Sequence, residues 1–230
     1  MDVSPDVFPD ADFGTSPSLP PLLRMADMTR PRLLDLFCCE GGASRGYADA
    51  GFEVIGVDIE PQPRYPFEFI QADAVEYLAT ADLTGFDAIA ASPPCPAYAN
   101  VTLWRGDQSK HPDLLPPVLA LLEAQRLPWI VENVENAPLR PDFILCGSQF
   151  GLRIRRHRWF QTSWYGYGLL PPCAHRSDDL PFMHKGERAY ADALGCKWMT
   201  SRGGRQAIPP AYTHYLGQQL LTHIAAERVA

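Results

Sequence analysis

Arg32-Leu33-Leu34-Asp35-Leu36-Phe37-Cys38-Cys39-Glu40-Gly41-Gly42-Ala43-Ser44 and its continuation to Asp58 decide the fold. Leu33 to Phe37 is a short apolar run that ends in a turn, as a strand buried on both faces should. Gly41-Gly42 makes the turn. Residues 45–50 read as a helix stopped by Gly51, and residues 53–58 form a second apolar run ending in a carboxylate. Strand, glycine turn, helix and strand form one βαβ unit.

Further along, Phe69 to Asp73 and Phe86 to Ala91 read as strands, residues 114–125 as a helix, and Trp129 to Asn133 as a fifth strand. Strands alternating with helices predict an α/β chain with a Rossmann-like, doubly wound, mostly parallel sheet. Such sheets bind ligands beyond the carboxyl ends of their strands. Asp35 to Gly42, Asp58, Asp73, Cys95 and Glu132 are all expected at that edge.

The Gly41-Gly42 turn lets backbone approach a ligand closely. A carboxylate after the second strand, Asp58, can accept from a ribose diol, and Asp73 can accept from an adenine amino group. The turn lacks the three glycines that suit a pyrophosphate, so an adenosine without phosphates fits better. Helix capping is the plainer role for either acid.

Ser92-Pro93-Pro94-Cys95-Pro96 presents a cysteine on a proline-stiffened loop directly after a strand. Most cysteines are small buried hydrophobes, whereas a nucleophilic one needs positive surroundings. Arg153, Arg155, Arg156 and Arg158 can provide them. Glu132 ends an apolar strand, where an unpartnered carboxylate is costly, and with a raised pKa it can donate a proton near neutrality.

The chain has 230 residues and a formal net charge of −7. This charge disfavours a uniformly basic nucleic-acid binder but leaves room for a local basic patch. No apolar run is long enough to span a membrane and no secretory signal is evident, so a cytoplasmic location is expected. Residues 1–30, rich in Pro, Ser and Asp, read as a disordered leader, with Met25 and Met28 just before the first strong element. The six cysteines have no repeating spacing, and free thiols are expected. Cys173 and His175 make half a zinc site, but no matching pair follows, so no metal is expected.

Taken together, these residues resemble the cytosine-5 DNA methyltransferase family of phage and bacterial type. Asp35-Leu36-Phe37 with Gly41-Gly42 and Ala50-Gly51-Phe52 is similar to its cofactor motif, Pro94-Cys95 to its Pro-Cys motif, and Glu132-Asn133-Val134 to its Glu-Asn-Val motif. Arg156-His157-Arg158 resembles its arginine motif, and Ala207-Ile208-Pro209-Pro210 with Leu216-Gly217 its closing motif, a helix that returns to the cofactor site. The matches run in family order from about residue 32 to 221.

The resemblance implies a class I S-adenosylmethionine-dependent fold with a small C-terminal subdomain, and methyl transfer to C5 of a flipped-out cytosine in double-stranded DNA. Cys95 is the implied nucleophile, Glu132 the contact to N3 and the exocyclic amine, and Arg156 and Arg158 orient the base. Asp35, Phe37, Gly41, Gly42, Asp58, Ile59, Asp73 and Ala74 are the implied S-adenosylmethionine contacts, with Pro94 between cofactor and base. Residues 31–160 would be the catalytic and cofactor domain, 161–196 a reduced target-recognition region, and 197–225 a segment returning to the catalytic domain. A monomer is expected, with a companion restriction endonuclease or specificity partner as a possible associate.

Departures accompany the likeness. Cys38, Cys39 and Glu40 replace small residues, Ile154 stands where Gln is usual, and Arg205 and Gln206 replace a Gly-Asn pair. The short recognition region carries Trp164, Tyr165, Tyr167, His175, Arg176, His184, Lys185 and Arg188, which suit DNA contact or aromatic packing equally. Arg105, Lys110 and His111 follow the cysteine on a loop that can close over a base or lie exposed. Three rivals stay open: the same chemistry on RNA or a free cytosine nucleotide, a non-catalytic relative, and a dinucleotide-dependent oxidoreductase.

Overall fold

The computed structural model describes residues 30–166, 168, 170–181 and 188–229. Residues 1–29 of the expected leader, Tyr167, His184, Lys185 and the Arg105 side chain lie outside the described residues. The elements in chain order are β1 (Arg32–Leu36), α1 (Gly42–Ala50), β2 (Glu53–Asp58), β3 (Glu68–Gln71), α2 (Ala74–Thr80), β4 (Ala88–Ala91) and α3 (Asn100–Arg105). They continue with α4 (Leu115–Glu123), β5 (Trp129–Asn133), β6 (Phe143–Leu145), β7 (Arg158–Thr162), α5 (Ala189–Ala193), α6 (Ser201–Gln206) and α7 (Pro210–Glu227).

One sheet has the order β3-β2-β1-β4-β5-β7-β6. The first five strands are parallel; β7 runs antiparallel to both β5 and β6. The order reverses between β1 and β4, which opens a crevice at their carboxyl ends.

Strand alternation explains why both faces are covered. Leu33, Ala88, Ala90 and Ile130 pack to one side with α1 and α7, through Tyr47, Tyr212, Leu216 and Leu220. Leu34, Leu36, Ile89 and Val131 pack to the other with α2 and α4, through Leu78, Leu115, Val118 and Leu122. A period of two with apolar residues in both phases requires helices above and below. A third, small cluster joins Ile154, Tyr190, Leu194, Cys196, Met199 and Ala207. Ile154 is fully buried there, so the residue at the expected Gln position does a packing job.

Local signals set the boundaries. Gly41 (φ 83) and Gly51 (φ 126) bracket α1 in conformations that favour glycine. Prolines open α4 and α7, as suits a first helical turn. The third strand ends earlier than expected, at Gln71, because Asp73 leaves the strand to cap α2. The antiparallel pair β6 and β7 was not expected from the sequence; β6 is only three residues long. No helix among the described residues is long and apolar enough to cross a membrane.

Candidate active site

A cavity of about 920 Å³ lies beyond the carboxyl ends of β1, β2, β4 and β5. Phe37, Gly42, Asp58, Ile59, Pro94, Cys95, Glu132, Arg156 and Arg158 line it, so residues from five separate stretches meet at one place. Its size suits a small organic ligand.

Cys95 sits half-buried where the chain leaves β4. Its loop is held from below: buried Asn133 donates through Nδ2 to the Pro93 carbonyl at 3.0 Å. The Cys95 carbonyl accepts from the Tyr98 and Ala99 N–H groups, both at 2.9 Å, which turns the chain into α3. Proline stiffness and these hydrogen bonds fix the thiol's direction. Burial pushes the thiol above its ordinary pKa, and Glu132 adds to this, while Arg158 and Arg156 pull the other way. The positive surroundings expected for Cys95 are therefore present, but burial outweighs them.

Glu132 and Arg158 are brought together by strand register. Glu132 pairs with Phe160 across β5 and β7, which makes Arg158 its diagonal neighbour two residues along. Arg158 Nε lies 2.7 Å from Glu132 Oε1, and both side chains are about nine-tenths buried. The contact is close but not aligned as a hydrogen bond, and Oε1 has no hydrogen-bond donor among the described residues. Burial raises the Glu132 pKa despite the two arginines. Arg156, also buried, donates to the Arg205 carbonyl and lies with its guanidinium carbon 5.8 Å from the Tyr190 ring centre. The Tyr212 hydroxyl of α7 donates to the Arg156 carbonyl.

At the other end of the cavity, Asp58 accepts from the Cys39 N–H (2.9 Å) through Oδ2 and from the Glu60 N–H (3.0 Å) through Oδ1. The Cys39 thiol hydrogen-bonds the same carboxylate. Phe37 (φ 61) and Cys39 (φ 46) adopt left-handed backbone, a strained choice for non-glycine residues costing roughly 1–3 kcal/mol each. Ile59 is 61% exposed beside them, an open apolar surface at the cavity.

Four expected cofactor contacts lie elsewhere. Asp35 is buried under the loop, where the Ser44 hydroxyl donates to it and the Tyr65 hydroxyl donates to Ser44 at 2.9 Å. Burial, assisted by Asp58, raises its pKa to about 7. Gly41 does not line the cavity; a Cβ there would press on the Tyr65 ring. Asp73 accepts from the Val75 and Glu76 N–H groups at 2.8 and 3.0 Å, and Ala74 is the buried first residue of α2. Neither lines the cavity. Capping is thus the role the coordinates give Asp73.

Three contributors were not foreseen. Asn133 was quoted only as part of a motif, and its buried side chain supports the cysteine loop. Glu40 ties the glycine loop to the C-terminal segment: its carboxylate accepts from the Thr200 N–H (2.6 Å) and hydroxyl, and its carbonyl from Trp198 Nε1. Trp104 of α3 lines the cavity while 71% exposed.

Much of the stretch expected to recognise a target is spent on structure. Trp164 is buried and stacks on His223 with ring centres 5.4 Å apart. Arg188 donates to the Met199 and Lys197 carbonyls, and Arg153 pairs with Asp178 and Asp179. Tyr165 remains 90% exposed. Lys110 sits 3.7 Å from Asp107. The expectation that Cys173 and His175 lack partners is corrected: Cys146 and His157 meet them.

No protein-family model matches the chain, and no curated protein matches it. Solved structures resemble it over part of their length. A protein encoded within an Escherichia coli prophage, assigned as a DNA modification methyltransferase, is 21% identical with a TM-score of 0.41, over 56% of this chain and 45% of that one. A mutant of Spodoptera frugiperda DNMT2 is 19% identical with a TM-score of 0.44, over 66% and 54%. The Schizosaccharomyces pombe Dnmt2 methyltransferase is 18% identical with a TM-score of 0.39, over 58% and 49%. The chain thus spans about half the length of the structures it matches. Its own strand order, with helices on both faces, is the Rossmann-like fold of class I methyltransferases.

Proposed function

We propose that this chain is a cytosine-5 methyltransferase that uses S-adenosylmethionine, with a cytosine of DNA as the methyl acceptor. One observation carries the reading. A loop-held cysteine, a buried glutamate with an oxygen lacking a hydrogen-bond donor, and a paired arginine line the same cavity as the Asp58 carboxylate.

The residues at the Asp58 end suit the cofactor. Asp58 retains acceptor capacity for ribose hydroxyls, and Ile59 and Phe37 offer apolar surface to a base. Glu40, Asp58 and Glu60 make that end acidic, which disfavours a pyrophosphate and favours a sulfonium cation. S-adenosylmethionine, when bound, supplies an electrophilic methyl group.

At the other end Cys95 acts as the nucleophile. Its thiolate adds to C6 of the cytosine, forming the S–C6 bond while the ring's electrons shift toward N3. Glu132, whose burial raises its pKa, is the proton donor to N3. Carbon 5 then carries enamine electron density and takes the methyl group. Loss of the C5 proton to solvent, return of the N3 proton to Glu132 and cleavage of the S–C6 bond restore the enzyme. Arg158 holds the Glu132 carboxylate and Asn133 holds the loop. C6 is covered within a duplex, so the base must leave the stack.

The test is incubation with tritiated S-adenosylmethionine and mixed-sequence duplex DNA, beside Cys95→Ala. Label recovered as 5-methylcytosine from the wild type, and none from a variant that still binds the cofactor by calorimetry, is the expected result. Transfer to tRNA or dCMP but not DNA would keep the chemistry and replace the acceptor. Binding without transfer to any of the three would remove the catalytic reading.

A further inference from the structure

Beside the cavity, which His157 also lines, four side chains from three separate stretches converge. Cys146 follows β6, His157 precedes β7, and Cys173 and His175 come from the exposed stretch beyond them. Their ligand atoms all lie within 4.8 Å of one another. Cys146 Sγ is 3.4 Å from Cys173 Sγ and 3.0 Å from His175 Nε2; Cys173 Sγ is 2.9 Å from His175 Nε2 and 3.4 Å from His157 Nε2. A tetrahedral ion with zinc–sulfur bonds of about 2.3 Å and zinc–nitrogen bonds of about 2.0 Å separates its donor atoms by roughly 3.3–3.8 Å. These four separations lie at those values or slightly inside them, and the other two pairs lie within 4.8 Å.

The surrounding chain needs a fastening here. Residues 171–178 are all exposed, so no apolar side chain anchors them. Yet Cys173 and His175 both reach Cys146. Ser148 supports the arrangement: its hydroxyl lies 3.4 Å from Cys146 Sγ and 3.6 Å from Cys173 Sγ, and it accepts from the Ala174 N–H at 3.1 Å. Glu135 stands 3.8 Å from His157 Nδ1, the ring nitrogen turned away from the cluster, where a carboxylate commonly orients a metal-bound histidine. A disulfide between Cys146 and Cys173 would need the sulfurs at about 2.05 Å and would leave both histidines without a role.

We propose that Cys146, His157, Cys173 and His175 bind one Zn²⁺ ion as a structural site. Two thiolates balance the ion's charge, and four protein donors fill its tetrahedron, leaving no open position for chemistry. The ion fastens residues 171–178 to the connection between β6 and β7. It also fixes His157, whose carbonyl accepts from Arg158 Nη1 at 2.7 Å, so the clamp sits directly behind the arginine that pairs with Glu132. The site stands independently of the methyltransferase reading.

The test uses the full chain purified under reducing conditions. Elemental analysis should give one zinc per chain. The chain stripped with a strong chelator should take up one equivalent of Co²⁺, with the visible bands of a tetrahedral ion and the near-ultraviolet charge transfer of cobalt–thiolate bonds, and zinc should displace it. Cys173→Ser should lose most of the charge transfer and His175→Ala the tight uptake, while Cys39→Ser should bind like the wild type. Wild-type protein that carries no zinc and gives no cobalt bands overturns the proposal. So does cobalt uptake that Cys146→Ser and Cys173→Ser leave unchanged. A chain two hydrogens lighter by intact mass, restored by reductant and then still without cobalt bands, overturns it in favour of a disulfide. Stripping the wild type keeps the test clear of variants that fail to fold.

Discussion

Asp35 and Cys95 show burial setting the charge of a residue against the role its position suggests. Asp35 rises from 3.8 to about 7 because it is buried. Between those two values the folded chain binds a proton that the unfolded chain does not. Stability attributable to Asp35 is therefore greatest below about 3.8 and is lost as pH rises toward about 7. Asp35→Asn should flatten the melting temperature between pH 5 and pH 8 relative to wild type, an effect of up to a few kcal/mol. Equal pH slopes in the two proteins would show that Asp35 is ionised when folded. For Cys95 the thiol is also raised, so its alkylation by iodoacetamide, followed by peptide mass spectrometry, should keep accelerating above the ordinary thiol value of 9.0. Arg158→Gln should slow it at pH 8, since Arg158 pulls the pKa down. The sequence makes Glu132 legible because a carboxylate ending an apolar strand must have a partner or a task. It makes Asp35 look like a ligand because Ser44, which donates to it, and Tyr65, which donates to Ser44, are far enough along the chain to escape a local reading.

At the scale of elements, five parallel strands are legible because each is a short apolar run closed by a turn or a carboxylate. The antiparallel pair is not: β6 has three residues, and β7 begins in the arginine run, so no period declares itself. That return strand nevertheless sets Arg158 beside Glu132, and the proposed chemistry depends on it. Asp73 separates two roles cleanly. Asp73→Ala should cost about 0.5–2 kcal/mol through loss of the α2 cap and leave S-adenosylmethionine affinity within a few-fold of wild type. A tenfold or greater loss of affinity at unchanged fold would return it to the binding site. The packing of α7 on α1 is tested at Gly46, where an added Cβ would stand 2.0 Å from Thr213 Oγ1 and 2.1 Å from the Pro210 carbonyl. Gly46→Ala should destabilise the chain by about 1–3 kcal/mol, read as a fall of several degrees in melting temperature. An unchanged melt would mean that the two helices separate freely.

For the whole molecule, the net charge of −7 opposes a polyanion, so any nucleic-acid contact has to be local. The structure concentrates the relevant side chains at the cavity rim: Arg202 and Arg205 are exposed on α6, while Arg155, Arg156 and Arg158 stand behind them. Arg155 donates to the Arg176 carbonyl and Arg153 is paired with Asp178 and Asp179, so the basic run read from the sequence is largely committed inside the protein. Exposed arginines of α6 are then the candidates to meet phosphate. A protein that neutralises few phosphates should bind duplex DNA weakly and with a shallow salt dependence, about 0.9 units of log–log slope for each phosphate contacted. Arg202→Ala should lower that slope by about one unit in fluorescence-anisotropy titrations across salt concentrations, and should weaken binding to unrelated sequences equally. An unchanged slope would take Arg202 off the DNA path. A slope several units steeper than the two α6 arginines allow would mean that further basic side chains meet DNA.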